Sequence, residues 1–383
     1  MEKIKLSDLC NPAQGQIKEQ PDTIIDYIDI SSVDNESKTV TGYQTMTFAE
    51  SPSRARKTVK KGNILVSTVR PNLNAVAVLE DDTPNKTVAS TGFCILDCKE
   101  TTDKRFVFNF CRSKAFIDEM VMQATGASYP AVSDKIVRAA LVPAYPYDEQ
   151  RKIGEVLDSI SVIIENRKRE LAELDNLIKA RFVEMFGDTV LNPFGWDKDL
   201  LGIVCDVRDG THDSPKYYET GFPLVTSKNV TGGKIDLKDC SLICEDDFKK
   251  INERSKVAIG DIIMPMIGTV GKPVIVDIEP NFAIKNVSLI KFKTASRVIN
   301  IYIQALLQSD YFDDAVLSKV RGGTQKFISL GDIRKLEVLV PPIEKQKQFA
   351  SFVSQVDKSK AAVQKALEEA QLLFDSLMQQ YFG

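Results

Sequence analysis

The densest group of side chains able to grip an anion is Arg54, Arg56, Lys57, Lys60 and Lys61. Such a cluster can pair with phosphate oxygens, or it can coat a solvated loop. Shortly after it, Arg70, Asn72 and Asn74 follow a β-branched run in a proline-containing turn. Arginine can hold guanine, and asparagine adenine, through paired hydrogen bonds in the major groove, so this turn is a candidate for base or phosphate contact. Two glycine-led loops stand at matching places: Gly126-Ala127-Ser128-Tyr129 and Gly322-Gly323-Thr324-Gln325-Lys326, the second preceded by Arg321. Backbone N–H groups beside glycine can approach phosphate closely; the alternative is a tight turn into the last strand. Arg208, Thr211, His212, Lys216, Lys228 and Asn229 add a scatter of polar donors. Lys272 lies in Gly268-Thr269-Val270-Gly271-Lys272-Pro273, which is too short for a P-loop and reads as a β-turn near phosphate.

A catalytic set is missing. Adenine methyltransferases hold their base with an Asn/Asp-Pro-Pro-aromatic string, whereas Asn192-Pro193-Phe194-Gly195 lacks the second proline. His212 is the only histidine, which excludes paired-histidine metal sites and argues against a triad. Cys94 and Cys98, like Cys240 and Cys244, are spaced as buried thiols rather than as metal ligands. The chain is expected to be no enzyme and to bind no metal or cofactor.

Charge complicates a nucleic-acid reading. The net charge is −3, and the basic side chains are matched by acidic ones in residues 1–145 and 188–342 alike. Any grip on a polyanion must come from a local face or from partner subunits. No apolar run reaches the length of a membrane span, and the first residues, MEKIKLSDL, carry charges where a signal peptide would be apolar. A cytoplasmic protein with reduced cysteines and no membrane partner is expected.

The elements that must position these residues come in two copies, offset by about 196 residues. Residues 150–187 align without a gap on 346–383, residues 27–33 (YIDISSV) on 224–230 (LVTSKNV), and 62–78 on 260–276. So long a period means domain duplication rather than a solenoid. Short β-branched runs at residues 63–69, 75–79 and 93–96, with a helix over 106–123, predict an α+β module with a mostly antiparallel sheet. Strands near 261–266, 274–276 and 287–291 and a helix over 298–318 repeat the scheme.

Each module leads into a long segment whose apolar positions alternate spacings of four and three, as in Ile153, Leu157, Ile160 and Ile164, or Phe349, Val353 and Val356. This is a heptad seam. Two exposed seams are most economically covered by each other, in an antiparallel pair about a local two-fold. At about 1.5 Å per residue, each helix makes a rod of roughly 55 Å, more than one turn of B-DNA. Arg167, Arg181 and Lys360 interrupt the seam, and either fix its register, face a partner or reach solvent along their stems. The resulting division is two β-rich modules, 1–145 and 188–342, and two long helices, 146–187 and 343–383.

In their order and doubling, several segments resemble the DNA specificity (S) subunit of type I restriction–modification systems. They are LVPAYPYDEQRKI (residues 141–153), the long helix closing on Phe186-Gly187, the NPFGW junction (192–196), RDGTHDSPKYY (208–218), STVRPNLN (67–74) and VPPIEKQKQF (340–349). The resemblance implies two target-recognition domains, each reading one part of a split double-stranded DNA site, with the helices fixing the spacer. It implies assembly with two adenine methyltransferase subunits and with restriction/translocase subunits. S-adenosylmethionine, ATP and magnesium would belong to those partners. One departure is the lead into the first helix, residues 143–150, which is two residues longer than its counterpart at 341–346. Two alternatives remain open, a methylation-only system and a coiled-coil scaffold whose duplicated modules bind proteins.

Overall fold

The computed structural model describes residues 2–13, 15–267, 271–293, 296–312 and 327–383. The chain divides into two compact units: Met1–Glu170 with Val363–Gly383, and Leu171–Ala362.

In the first unit, strand Ile24–Ile28 lies between Gln44–Thr47 and Lys86–Ser90, and Ala55–Thr58 closes the sheet on the far side of Lys86–Ser90. A second sheet places Ile64–Ser67 between Val76–Val78 and Phe93–Leu96. Strand Lys3–Lys5 pairs with Leu141–Pro143, just before the first long helix. The second unit repeats the core of this arrangement, without a counterpart of Ala55–Thr58 and with Asp206–Asp209 added beside Val287–Lys291. Phe222–Val225 lies between Ser241–Ile243 and Ala283–Ile284, Ile262–Pro265 lies between Val274–Ile275 and Val287–Lys291, and Asp197–Leu200 pairs with Glu337–Val340.

The sheets are not wholly antiparallel. Ile24–Ile28 runs parallel to Lys86–Ser90, and Phe222–Val225 parallel to Ala283–Ile284. A parallel pair needs a long crossover; in both units the intervening strands of the second sheet supply it, which local periodicity does not reveal. The turns repeat in detail. Gly62 and Gly260 both adopt φ +87°, where a side chain is disfavoured, and both donate to the strand opposite, at Leu79 O and Val276 O.

The predicted helix over 106–123 is two helices, Lys104–Arg112 and Lys114–Gln123. Ser113 breaks the run by adopting an extended conformation and capping the second helix, its hydroxyl accepting from Phe116 N. In the second unit the helix is Asn300–Leu307, a further helical stretch starts at Asp310, and residues 313–318 of the expected helix lie outside the described residues.

The long helices are Tyr147–Phe186 and Ile343–Phe382, 40 residues each. Pro146 and Pro342 precede them and accept from the first-turn N–H groups of Gln150 and Gln346, consistent with proline at a helix start. The start of each helix packs with the end of the other. In the first unit Ile153, Leu157 and Ile160 share a core with Phe374, Met378 and Phe382. In the second, Phe182, Met185 and Phe186 share one with Phe349 and Val353. Pairing is therefore antiparallel. Phe382 lies against Phe106 and Phe110, with ring centroids 5.3 and 5.9 Å apart; its equivalent, Phe186, lies 4.8 Å from Tyr302 and 5.5 Å from Phe349. Gly154 lets the first helix approach residues 103–106, because a Cβ there would stand 2.8 Å from Asp103 Oδ1.

Among the charged seam residues, Lys360 reaches across to Asp175 of the other helix at 2.6 Å. Arg167 and Arg181 instead turn to Glu170 and Glu184 on their own helix, and Arg181 also covers the Phe352 ring. The contact suited to fixing register is thus Lys360–Asp175.

Candidate nucleic-acid interface

In the first unit two loops predicted separately come together. Strand Ile64–Ser67 gives way to Arg70, held at φ +49° by the turn Pro71–Leu73 that follows. The glycine-led loop closes on itself through paired bonds between Thr125 and Ala131, with Gly126 at φ +101°. Arg70 N donates to Pro130 O at 2.7 Å, and Val132 N to Thr68 O at 2.9 Å, clamping one loop to the other. The Arg70 guanidinium lies over the Tyr129 ring, 4.9 Å from its centroid. Asn72, Ser128 and Tyr129 are exposed beside it.

Asn74 departs from the expected base contact. It is buried, its amide donates to Cys111 O at 2.9 Å, and its side-chain oxygen accepts from Lys38 at 3.0 Å. With both polar ends engaged internally, it shapes the turn from behind. Burial and the neighbouring Arg112 push the Lys38 ammonium down to about 8.

The basic cluster is less cationic than its sequence. Arg54 donates to Asp29 at 2.7 Å, and Lys60 and Lys61 stand 3.0 and 3.3 Å from Asp97 and Asp81. Arg56 folds over the Phe48 ring and donates to Ala55 O. Lys57 is the clear departure: its side chain is only 15% exposed and donates to Asp134 and to Phe93 O. Arg54, Lys60 and Lys61 stay exposed at their tips and can exchange a carboxylate for a phosphate; Lys57 is a packing residue.

In the second unit the candidate donors gather around His212. Its Nε2 is 2.9 Å from Asp209 Oδ2, and its Nδ1 is 2.9 Å from Asn286 Oδ1. These two bonds, Asn286 first and Asp209 second, raise its pKa against the opposing effect of burial. Asp209 is buried and also accepts from Arg254, while Arg208 bonds Asp206 and Arg254 O. Gly210 has no alternative here, since a Cβ would fall 2.4 Å from Ile284 O. Lys285 donates to Ser214 at 2.7 Å, and Thr211 accepts from Asp213 N. Both ring nitrogens of His212 are thus engaged within the protein, by Asp209 and by Asn286.

Lys216 lies over the Tyr218 ring, and Lys228 and Lys272 are exposed. Asn229 departs from expectation as Asn74 does: it is buried and its side-chain oxygen accepts from Thr226 N and Oγ1. Arg321, Gln325 and Lys326 lie outside the described residues. Asp209, Arg254, Lys285 and Asn286 were not anticipated. Asn286 carried a signal, an Asn opening a β-branched run, and it adopts φ +55°. Arg254 carried none. Among the described residues no group of three or more His, Cys, Asp or Glu could hold a metal ion, and no helix is long and apolar enough to cross a membrane. The NPFGW junction is a compact turn: Asn192 accepts from Trp196 N, and the indole donates to Phe186 O.

Comparison with known proteins bears on this geometry. Residues 193–371 match the family model described as type I restriction modification DNA specificity domain. The chain is 24% identical over 270 residues to the type I restriction enzyme MjaVIII specificity subunit of Methanocaldococcus jannaschii, covering 64% of this chain and 63% of that relative. It is 23% identical over 349 residues to the MjaIX specificity subunit of the same organism, covering 83% and 76%. Among solved structures, a chain from work on assembly and conformational transition of the type I restriction–modification system matches with a TM-score of 0.61 at 23% identity. That match covers 100% of this chain and 97% of the other, and shows a common fold.

Proposed function

We propose that this chain, a member of the type I restriction–modification DNA specificity family, reads a split double-stranded DNA site without catalysing a reaction itself. Residues 1–145 and 188–342 each recognise one part, and the long helices serve as the spacer. The observation that carries this reading is the duplication. Two modules share a parallel strand pair and a glycine turn, while the exposed donors around Arg70 and around His212 differ. One scaffold with two chemistries suits a target with two unlike parts.

The chain would position two adenine methyltransferase subunits and the restriction/translocase subunits over that site in the cytoplasm. S-adenosylmethionine, ATP and magnesium would be bound by those partners. The carboxylates beside Arg54, Lys60 and Lys61 support a division of labour, in which partners supply much of the phosphate contact and the isolated chain binds DNA weakly. The test is adenine-methylation sequencing of cells with and without this gene. A two-part methylated motif that vanishes on deletion is expected; an unchanged methylome, or loss of an unsplit motif, rejects the reading.

A further inference from the structure

The geometry points to the Arg70–Tyr129 pair as a guanine reader, with the side chain of Arg70 addressing a base edge in the major groove and Tyr129 holding its plane. This rests on the function proposed above and assigns one position of one half of the target to one residue.

Three observations carry it. First, in this unit the guanidinium groups of Arg54, Arg56, Arg105, Arg112 and Arg138 each donate to a protein oxygen. Among the described residues Arg70 has no such acceptor. It is exposed and rests on an aromatic face, so its N–H groups remain free for a ligand. A guanidinium in that state suits a planar acceptor pair, and guanine presents one in O6 and N7. Second, the backbone is fixed while the side chain is free. Arg70 sits at φ +49°, a strained conformation for a residue with a Cβ, and it persists because Arg70 N is bonded to Pro130 O and Leu73 N to Arg70 O. Strain held this way aims one side chain in one direction. Third, Tyr129 is 70% exposed, so the ring buries little of itself. Its contact with Arg70 restricts the long side chain before binding, which lowers the entropy lost on contact.

A phosphate contact is the competing use of the same cation, and charge-preserving substitution separates the two. In cells carrying the chain with its methyltransferase partners, the methylated motif would be sequenced for wild type, Arg70→Lys, Arg70→Ala, Tyr129→Phe and Tyr129→Leu. The wild-type motif should contain an obligatory G·C pair in one half. Both Arg70 variants should lose on the order of tenfold or more discrimination at that position alone, with the other half unchanged. Tyr129→Phe should keep the motif, and Tyr129→Leu should weaken the same position several-fold. The assignment is overturned if Arg70→Lys retains the full motif, if Arg70→Ala lowers methylation evenly with the motif intact, or if both Arg70 variants abolish methylation everywhere. A wild-type chain that directs no split motif would instead reject the function proposed for the whole protein.

Discussion

The two units are the same scaffold up to the point where each can meet a ligand, and there they part. Residues 62–78 and 260–276 share a turn, and the parallel strand pair recurs in both sheets. Yet after the strand Gln44–Thr47 the first unit adds the basic strand Ala55–Thr58, whereas after Ser241–Ile243 the second adds the helix Glu245–Ser255, with Glu245, Asp246 and Asp247 in its first turn. The first unit presents an arginine stacked on a tyrosine, and the second a histidine locked between Asp209 and Asn286. Duplication conserves what closes the core and leaves the exposed donors free to diverge.

The sharpest way to break that comparison is to remove its most equivalent pair. Phe382→Ala and Phe186→Ala each delete a fully buried ring and should each cost about 3–5 kcal/mol. Hydrogen exchange should then rise in helices Lys104–Arg112 and Lys114–Gln123 for the former, and in Asn300–Leu307 for the latter. Equal loosening of both units by both variants would show that the copies are not energetically separate.

A second matched pair should give unequal effects. Gln150 and Gln346, both buried, tie each long helix to its module: Gln150 accepts from Asp103 N and donates to Tyr145 O, while Gln346 accepts from Ile299 N and donates to Arg297 O and Pro341 O. Replacement by Leu strands two backbone groups in the first case and three in the second. At about 1–3 kcal/mol per stranded group, chemical denaturation should find Gln346→Leu the more damaging. The two-residue-longer lead into the first helix coincides with the weaker tie.

The smallest effect concerns pH and belongs to the second unit alone. Bonds from Asn286 and Asp209 raise the His212 pKa, so the stability they lend is complete below the ordinary histidine value of about 6.5. It is lost as pH climbs through the raised value. As the only histidine, His212 gives one imidazole resonance to follow by NMR. Its titration should fall toward the ordinary value in Asp209→Asn, and a resonance that does not move would remove the cluster from the comparison.

The architecture was legible because it rests on period. A four-three alternation over some 37 residues has one reading, and the copies confirm each other position by position, as Phe186 and Phe382 do. The break at Ser113 was missed because serine is tolerated inside a helix; only its extended backbone and its bond to Phe116 N make it a boundary. Site residues were less legible, since polar type does not say which way a side chain faces. Asn74 and Asn229 look like readers in a string of letters, but each has its amide turned inward. Lys57 belongs to a basic run and is nevertheless largely covered, because its ammonium is drawn to Asp134 and Phe93 O from a strand whose register shifts between Ala55 and Lys57. Arg254 reached the His212 cluster from 42 residues away in sequence, a distance no local pattern spans.

The interleaved helix ends also bear on how the polypeptide is made. Phe374, Met378 and Phe382 complete a core begun by Leu6, Ile64 and Phe106. Residues up to 170 therefore leave the ribosome well before the side chains that seal them. At about 5–20 residues per second, that interval is on the order of ten to forty seconds. Throughout it, the apolar seam at Ile153, Leu157 and Ile160 lacks its native cover, an opportunity for a chaperone.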